Sequence, residues 1–178
     1  MRSALSDPEA AAARDGLFSF PDPVNEVSAR LVAGGVVAMA VASIAFDLRW
    51  ATLVIAYGFV ARVLTGPTLS PLGQLVTRVV TPRLRAEPRL VPGPPKRFAQ
   101  GVGVAFSVTA AVLTFGFDQW GAAEVVLSLL AGAAFLESAF ALCLGCRAFA
   151  VLMRLGVIPA EVCERCNDLW GRERAAAR

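Results

Sequence analysis

There is no histidine anywhere in this chain. Its absence removes His-ligated zinc, copper and haem, and with them every Ser–His or Cys–His catalytic pair. Charge is scarce too. Asp, Glu, Lys and Arg make up 17% of the 178 residues, against roughly 25% in a soluble domain. Hydrophobic residues make up 56%, and the mean hydropathy is +0.61. The length suits one domain, but the composition is too apolar for an ordinary water-soluble one. An early apolar run is also missing. Residues 1–26 hold five acids and read as a polar tail, not as a signal peptide. The net charge of +3 is small, and no nucleic-acid partner is expected. Four cysteines, two acids in apolar surroundings and the arginines are the groups left for chemistry.

What the chain has instead is long apolar runs. A helix needs about 20 mostly apolar residues to cross the hydrocarbon core of a bilayer. Four segments approach that length, at about 27–46, 50–64, 98–117 and 121–146. The second is short and carries Arg62 near its end. The third has no charge, and the last carries Glu124 and Glu137. Tight hairpins join the first pair at Asp47–Trp50 and the second pair at Gly116–Trp120. Residues 65–97 form a basic connection interrupted by seven prolines, too many to continue a helix. Within it, Leu72–Val80 suits a short amphipathic helix at the membrane interface.

Lys and Arg accumulate in cytoplasmic loops. The 65–97 connection holds Arg78, Arg83, Arg85, Arg89, Lys96 and Arg97 against Glu87 alone, whereas the two hairpins hold only Arg49. The expectation is therefore an all-α protein, a four-helix transmembrane bundle with both termini in the cytoplasm. Its membrane domain covers residues 27–146. A short cytoplasmic segment, 147–178, carries the last cysteines, and the setting is a multi-pass protein of the inner (plasma) membrane.

The cysteines form two Cys-x-x-Cys pairs, Cys143 with Cys146 and Cys163 with Cys166, sixteen residues apart. The spacing falls in the window of four-thiolate zinc sites. It equally suits thiol–disulfide exchange, which needs an accessible thiolate with a resolving thiol nearby. Cys143–Cys146 reads most naturally as an extension of the fourth helix, with Arg147 one turn on. The positive charge of Arg147 would favour a thiolate on Cys143. For the pairs to share a metal or to exchange directly, residues 147–162 must fold back, turning near Gly156 and Pro159. Pro159 would then open a short helix carrying Cys163 and Cys166. Small packed hydrophobes are a third reading, better suited to one pair than to both.

An acid inside an apolar span is costly and a functional candidate. Glu137 is that residue, for proton movement or for locking the bundle, and it would be either neutral or paired with an arginine such as Arg62. The run Ala131-Gly132-Ala133-Ala134 lets helices approach closely.

The runs Phe59-Val60-Ala61-Arg62, Leu69-Ser70-Pro71-Leu72, Lys96-Arg97-Phe98-Ala99-Gln100, and Leu136-Glu137 followed by Cys143-Leu144-Gly145-Cys146 resemble a bacterial integral-membrane family, domain of unknown function 4395. The resemblance covers about residues 20–170. It implies a thiol-redox or sulfur setting, with a thioredoxin-like or rhodanese-type sulfurtransferase protein as partner, and no defined catalytic activity. The first expectation is thus a membrane thiol-redox or sulfur-relay partner working through both cysteine pairs, with no required cofactor. The alternative is a non-enzymatic scaffold whose four cysteines hold zinc or an iron–sulfur cluster.

Overall fold

The computed structural model describes residues 22–84, 89–159 and 162, and their regular structure is helical apart from one short strand pair. Strand β1 (Val24–Asn25) pairs antiparallel with β2 (Leu90–Val91), tying the approach to the first helix to the approach to the third long one. Helix α1 (Glu26–Ala45) is opened by Asn25, whose side chain accepts the Val27 N–H, as a preferred N-cap does. Next come α2 (Ala51–Thr65), α3 (Pro71–Leu75), a π turn (Val76–Val80) and α4 (Thr81–Arg83). The chain then forms α5 (Gly93–Phe115), α6 (Trp120–Phe140) and α7 (Leu144–Arg154).

Helix α1 packs along α6, α2 along α5, and α5 against α6. The core at their centre includes Val36, Ile55, Phe59 and Leu127, with Ala40, Ala110 and Ala123 fully buried at the crossings. Alanine at a crossing lets two backbones approach closely, the packing typical of helices in lipid. The outward faces are just as apolar, with Val41, Leu53, Val125, Leu129 and Phe135 all exposed. Among the described residues, α1, α5 and α6 are long and apolar enough to cross a membrane. Helix α2 is apolar but has 15 residues, a length of about 22 Å.

The two tight turns lie at the same end of the bundle. Each contains an aspartate with positive φ, Asp47 and Asp118, both at 51°. Aspartate tolerates this left-handed conformation better than most residues. Arg49 reaches both, at 3.6 Å from Asp47 and 3.4 Å from Asp118, and lies 5.6 Å from the Trp120 ring centroid.

The described part of the basic connection, residues 65–84 and 89–97, is more helical than its prolines suggest. Helix α2 stops at Gly66, where φ is 61°, a value glycine adopts without strain. Ser70 then caps α3, accepting the Gly73 N–H. The helical stretch from Pro71 runs back along α1, with Leu72 against Gly35 and the Thr81 hydroxyl 3.0 Å from that of Ser28. Helix α5 begins at Gly93, inside the expected 65–97 connection, because its prolines occupy the first helical turn. There they leave no N–H unsatisfied and preset φ.

Gly103 illustrates how closely α2 and α5 meet. A methyl group there would overlap the Phe59 ring, whereas at Gly132 it would meet nothing within 4 Å. Gly103→Ala should cost about 1–3 kcal/mol by overpacking, while Gly132→Ala should be neutral or slightly stabilising. Thermal unfolding of both variants in mild detergent checks this, and equal midpoints would contradict the packing described.

Candidate functional site

Helix α6 ends at Phe140, three residues before the first cysteine. Ala141 takes the left-handed conformation at φ 57°. Its N–H donates to the Glu137 carbonyl at 3.1 Å, and the Leu142 N–H donates to the Leu136 carbonyl at 3.1 Å. A left-handed residue closing a helix in this way satisfies carbonyls that would otherwise be orphaned. Arg30 satisfies others. Its Nε and Nη2 donate to the Ser138 carbonyl at 3.1 and 2.9 Å, and Nη2 also donates to that of Ala139 at 3.2 Å. A guanidinium also complements the negative end of the helix dipole.

The expected continuation of the fourth helix from 121 through 146 is therefore corrected. Cys143 is extended (φ −81°, ψ 100°) and caps a new helix, α7, with its Sγ accepting the Cys146 N–H at 3.3 Å. The two cysteines are joined as a disulfide, with Cα atoms 5.2 Å apart. Close packing favours the break. Gly145 lies so near α5 that a Cβ would fall 2.6 Å from the Ala99 Cα.

Next to this turn lie charged groups taken out of solvent. Lys96, on the first turns of α5, donates to Glu137 Oε1 at 2.6 Å, with both side chains more than four-fifths buried. The partner of Glu137 is therefore Lys96, in place of the expected Arg62. Arg62 is itself buried, donating from Nε to Gln100 Oε1 at 3.0 Å and from Nη1 to Ser70 Oγ at 3.3 Å. Its guanidinium lies 4.5 Å from the Phe59 ring centroid, within cation–π range. Sequence reasoning counted Lys96 among loop cations. The available signal was Pro94-Pro95, which starts a helix early and puts Lys96 and Gln100 four apart on one face. Arg30 had no comparable signal, because its partners are backbone carbonyls of another helix.

Helix α7 packs on α5 through Phe149, whose ring centroid is 5.6 Å from that of Phe98. Beyond α7 the chain turns at Gly156, where φ is 72°. Val162, Phe98, Phe149, Pro94 and Arg97 line an open groove of about 430 Å³, one helical turn from Cys146. The next residue, Cys163, lies outside the described residues, as does Cys166, so convergence of the two pairs is not described. Among the described residues no group of three or more His, Cys, Asp or Glu side chains is placed to hold a metal. A four-thiolate site would need Cys163 and Cys166. Glu124 stands near the start of α6, far along that helix from Glu137.

A family model described as Domain of unknown function (DUF4395) matches residues 24–154. The chain belongs to this family. The matched stretch contains Arg30, Arg62, Lys96, Glu137, Cys143 and Cys146 and stops short of Cys163 and Cys166. No curated protein and no solved structure matches the chain.

Removing one member of a buried ion pair leaves the other uncompensated, which costs about 3–5 kcal/mol. Lys96→Met and Glu137→Leu should each destabilise the protein on that scale. The double variant should recover much of the loss, because no lone charge remains. Unfolding midpoints of the four proteins in one detergent close the cycle, and strict additivity would show that the pair is not coupled.

Proposed function

We propose that this chain is a four-span protein of the bacterial inner membrane that exchanges disulfides, or relays sulfur, with a soluble thiol partner. The observation that supports it best is the position of Cys143. It caps a helix beside a membrane-length bundle, with Cys146 one turn on. A nucleophilic thiolate held by a helix start, with a resolving thiol within bonding reach, is the minimal apparatus for exchange.

In the exchange, the Cys143 thiolate attacks one sulfur of a partner disulfide, and the partner's other sulfur leaves as a thiolate. The Cys146 thiolate then attacks Cys143 Sγ, closing the disulfide and releasing the partner as a dithiol. Two electrons pass from this chain to the partner. With a persulfide partner, the Cys143 thiolate takes the outer sulfur and the partner thiolate leaves. A thioredoxin-like or rhodanese-type sulfurtransferase protein suits these steps, in keeping with the thiol setting that the sequence resemblance implies. Glu137 acts by position. With Lys96 and Arg30 it fixes where α6 ends, and so where Cys143 stands.

The orientation follows from charge. Arg78, Arg83, Arg89, Lys96 and Arg97 are in the connection that precedes and opens α5, while the opposite turns carry Arg49 with Asp47 and Asp118. The basic end would face the cytoplasm and bring Cys143 and Cys146 with it. The second pair, Cys163 and Cys166, would serve as the next station of the relay.

In the reduced protein, Cys143 should be alkylated faster than Cys146 at neutral pH. Cys146→Ser should trap a mixed disulfide with a thioredoxin-like protein, and Cys143→Ser should not. Stoichiometric zinc, with all four thiols protected until a chelator is added, would replace this reading by the zinc scaffold.

Topology has its own test. On a background lacking native cysteines, Asp118→Cys should label in intact cells with an impermeant maleimide, and Arg78→Cys should not. Labelling only at residue 78 would reverse the orientation.

A further inference from the structure

Helix α7 has two apolar faces, and only one is covered. Phe149 is buried on α5. On the other side Leu144, Val151 and Leu155 are 48%, 51% and 71% exposed, and Ala148 between them is exposed too. At 100° per residue these four positions fall within an arc of about 60°, and Phe149 lies about 130° from its centre. The exposed set is therefore a continuous stripe facing away from the bundle. Arg147 and Arg154, seven residues apart and both exposed, run along one flank of it.

The placement of α7 indicates what covers the stripe. The helix starts just past the end of α6, whose 21 residues span about 32 Å, close to a bilayer core of about 30 Å. Gly145 meets Ala99 and Phe149 meets Phe98. Helix α7 thus packs against the first turns of α5, at the end of the bundle where α6 stops. A helix held at the depth where the spans end, with an apolar stripe outward and arginines beside it, has the pattern of an interfacial helix.

We propose that α7 lies in the membrane interface, with the Leu144–Leu155 stripe among the upper acyl chains and Arg147 and Arg154 on anionic lipid headgroups. The proposal rests on the reading of α1, α5 and α6 as membrane spans and is independent of thiol chemistry. Its consequence for the site is a fixed height. The Cys143–Cys146 turn stands at the headgroup level, and a thiol partner must meet it at the membrane surface. Arginine fits the anionic component, since each basic residue near such a surface is attracted to it.

The test is the depth of spin labels on the full chain, with the four native cysteines replaced by serine, in nanodiscs. Val151→Cys and Leu155→Cys carry the label on the stripe, and Leu129→Cys carries it on the exposed face of α6. In anionic nanodiscs the stripe labels should collide more with oxygen than with a water-soluble nickel complex. Arg147→Gln with Arg154→Gln should shift that ratio toward water, and wholly zwitterionic nanodiscs should do the same. A label at 129 that is open to nickel would sink the spanning reading. A buried label at 129 with nickel-accessible labels at 151 and 155 would overturn the interfacial helix alone. Label–label broadening at 151 would assign the stripe to a second copy of the chain and overturn the lipid assignment. An unchanged ratio in the arginine variant or in zwitterionic discs would overturn the anionic-headgroup contact. The native-cysteine protein provides a second measurement: a photoactivatable phosphatidylglycerol should crosslink within residues 144–155, and absence of that adduct counts against the proposal.

Discussion

A carboxylate held 2.6 Å from an ammonium in an apolar bundle constrains everything around it. Neither Lys96 nor Glu137 can be buried alone without a penalty of several kcal/mol. The turn of α5 that carries Lys96 must therefore face the last turn of α6, which fixes α5 and α6 in register at this end. Arg62 then needs neutral acceptors, which Gln100 on α5 and Ser70 at the α3 cap supply. Four elements are thereby positioned by three buried charges. The opposite end repeats the logic on a smaller scale, with Arg49 bracing two turns through their aspartates.

The break between α6 and α7 is set by this same packing. Arg30 from α1 occupies the terminal carbonyls of α6, and Gly145 needs the surface of Ala99. Between those two demands the chain leaves the helix at Ala141, a non-glycine residue in a conformation that costs roughly 1–2 kcal/mol. The return is a free helix start beside Cys143. The local strain at Ala141 and the new helix start at Cys143 are two aspects of one backbone turn.

Much of the bundle is legible in the amino-acid order because its signals are strong. Long apolar runs announce α1, α5 and α6, and the Asp47 and Asp118 turns are short. The membership of the family was readable from the runs around Arg62, Lys96 and Cys143. The break at Ala141 was not, since Ala141-Leu142 carries none of the usual stop signals and its cause lies on α1 and α5. The choice of Lys96 over Arg62 for Glu137 was hidden for a similar reason. It depends on α5 starting at Gly93, inside a stretch whose prolines look like loop until their place in the first turn is seen. Long-range partners of this kind have no local pattern to betray them.

The short second helix matters for the lipid around the protein. Helix α2 measures about 22 Å, against about 30 to 34 Å for α1, α5 and α6. On the side facing the bundle, the segment from Pro71 fills the missing depth. On the outer side Leu53, Val54, Tyr57 and Leu64 are exposed along α2. In a bilayer this is hydrophobic mismatch on one flank only, relieved by thinning of the adjacent leaflets or by tilting the bundle. Around a bundle set in a bilayer by α1, α5 and α6, the lipid annulus would be lopsided, thinner along α2 than elsewhere.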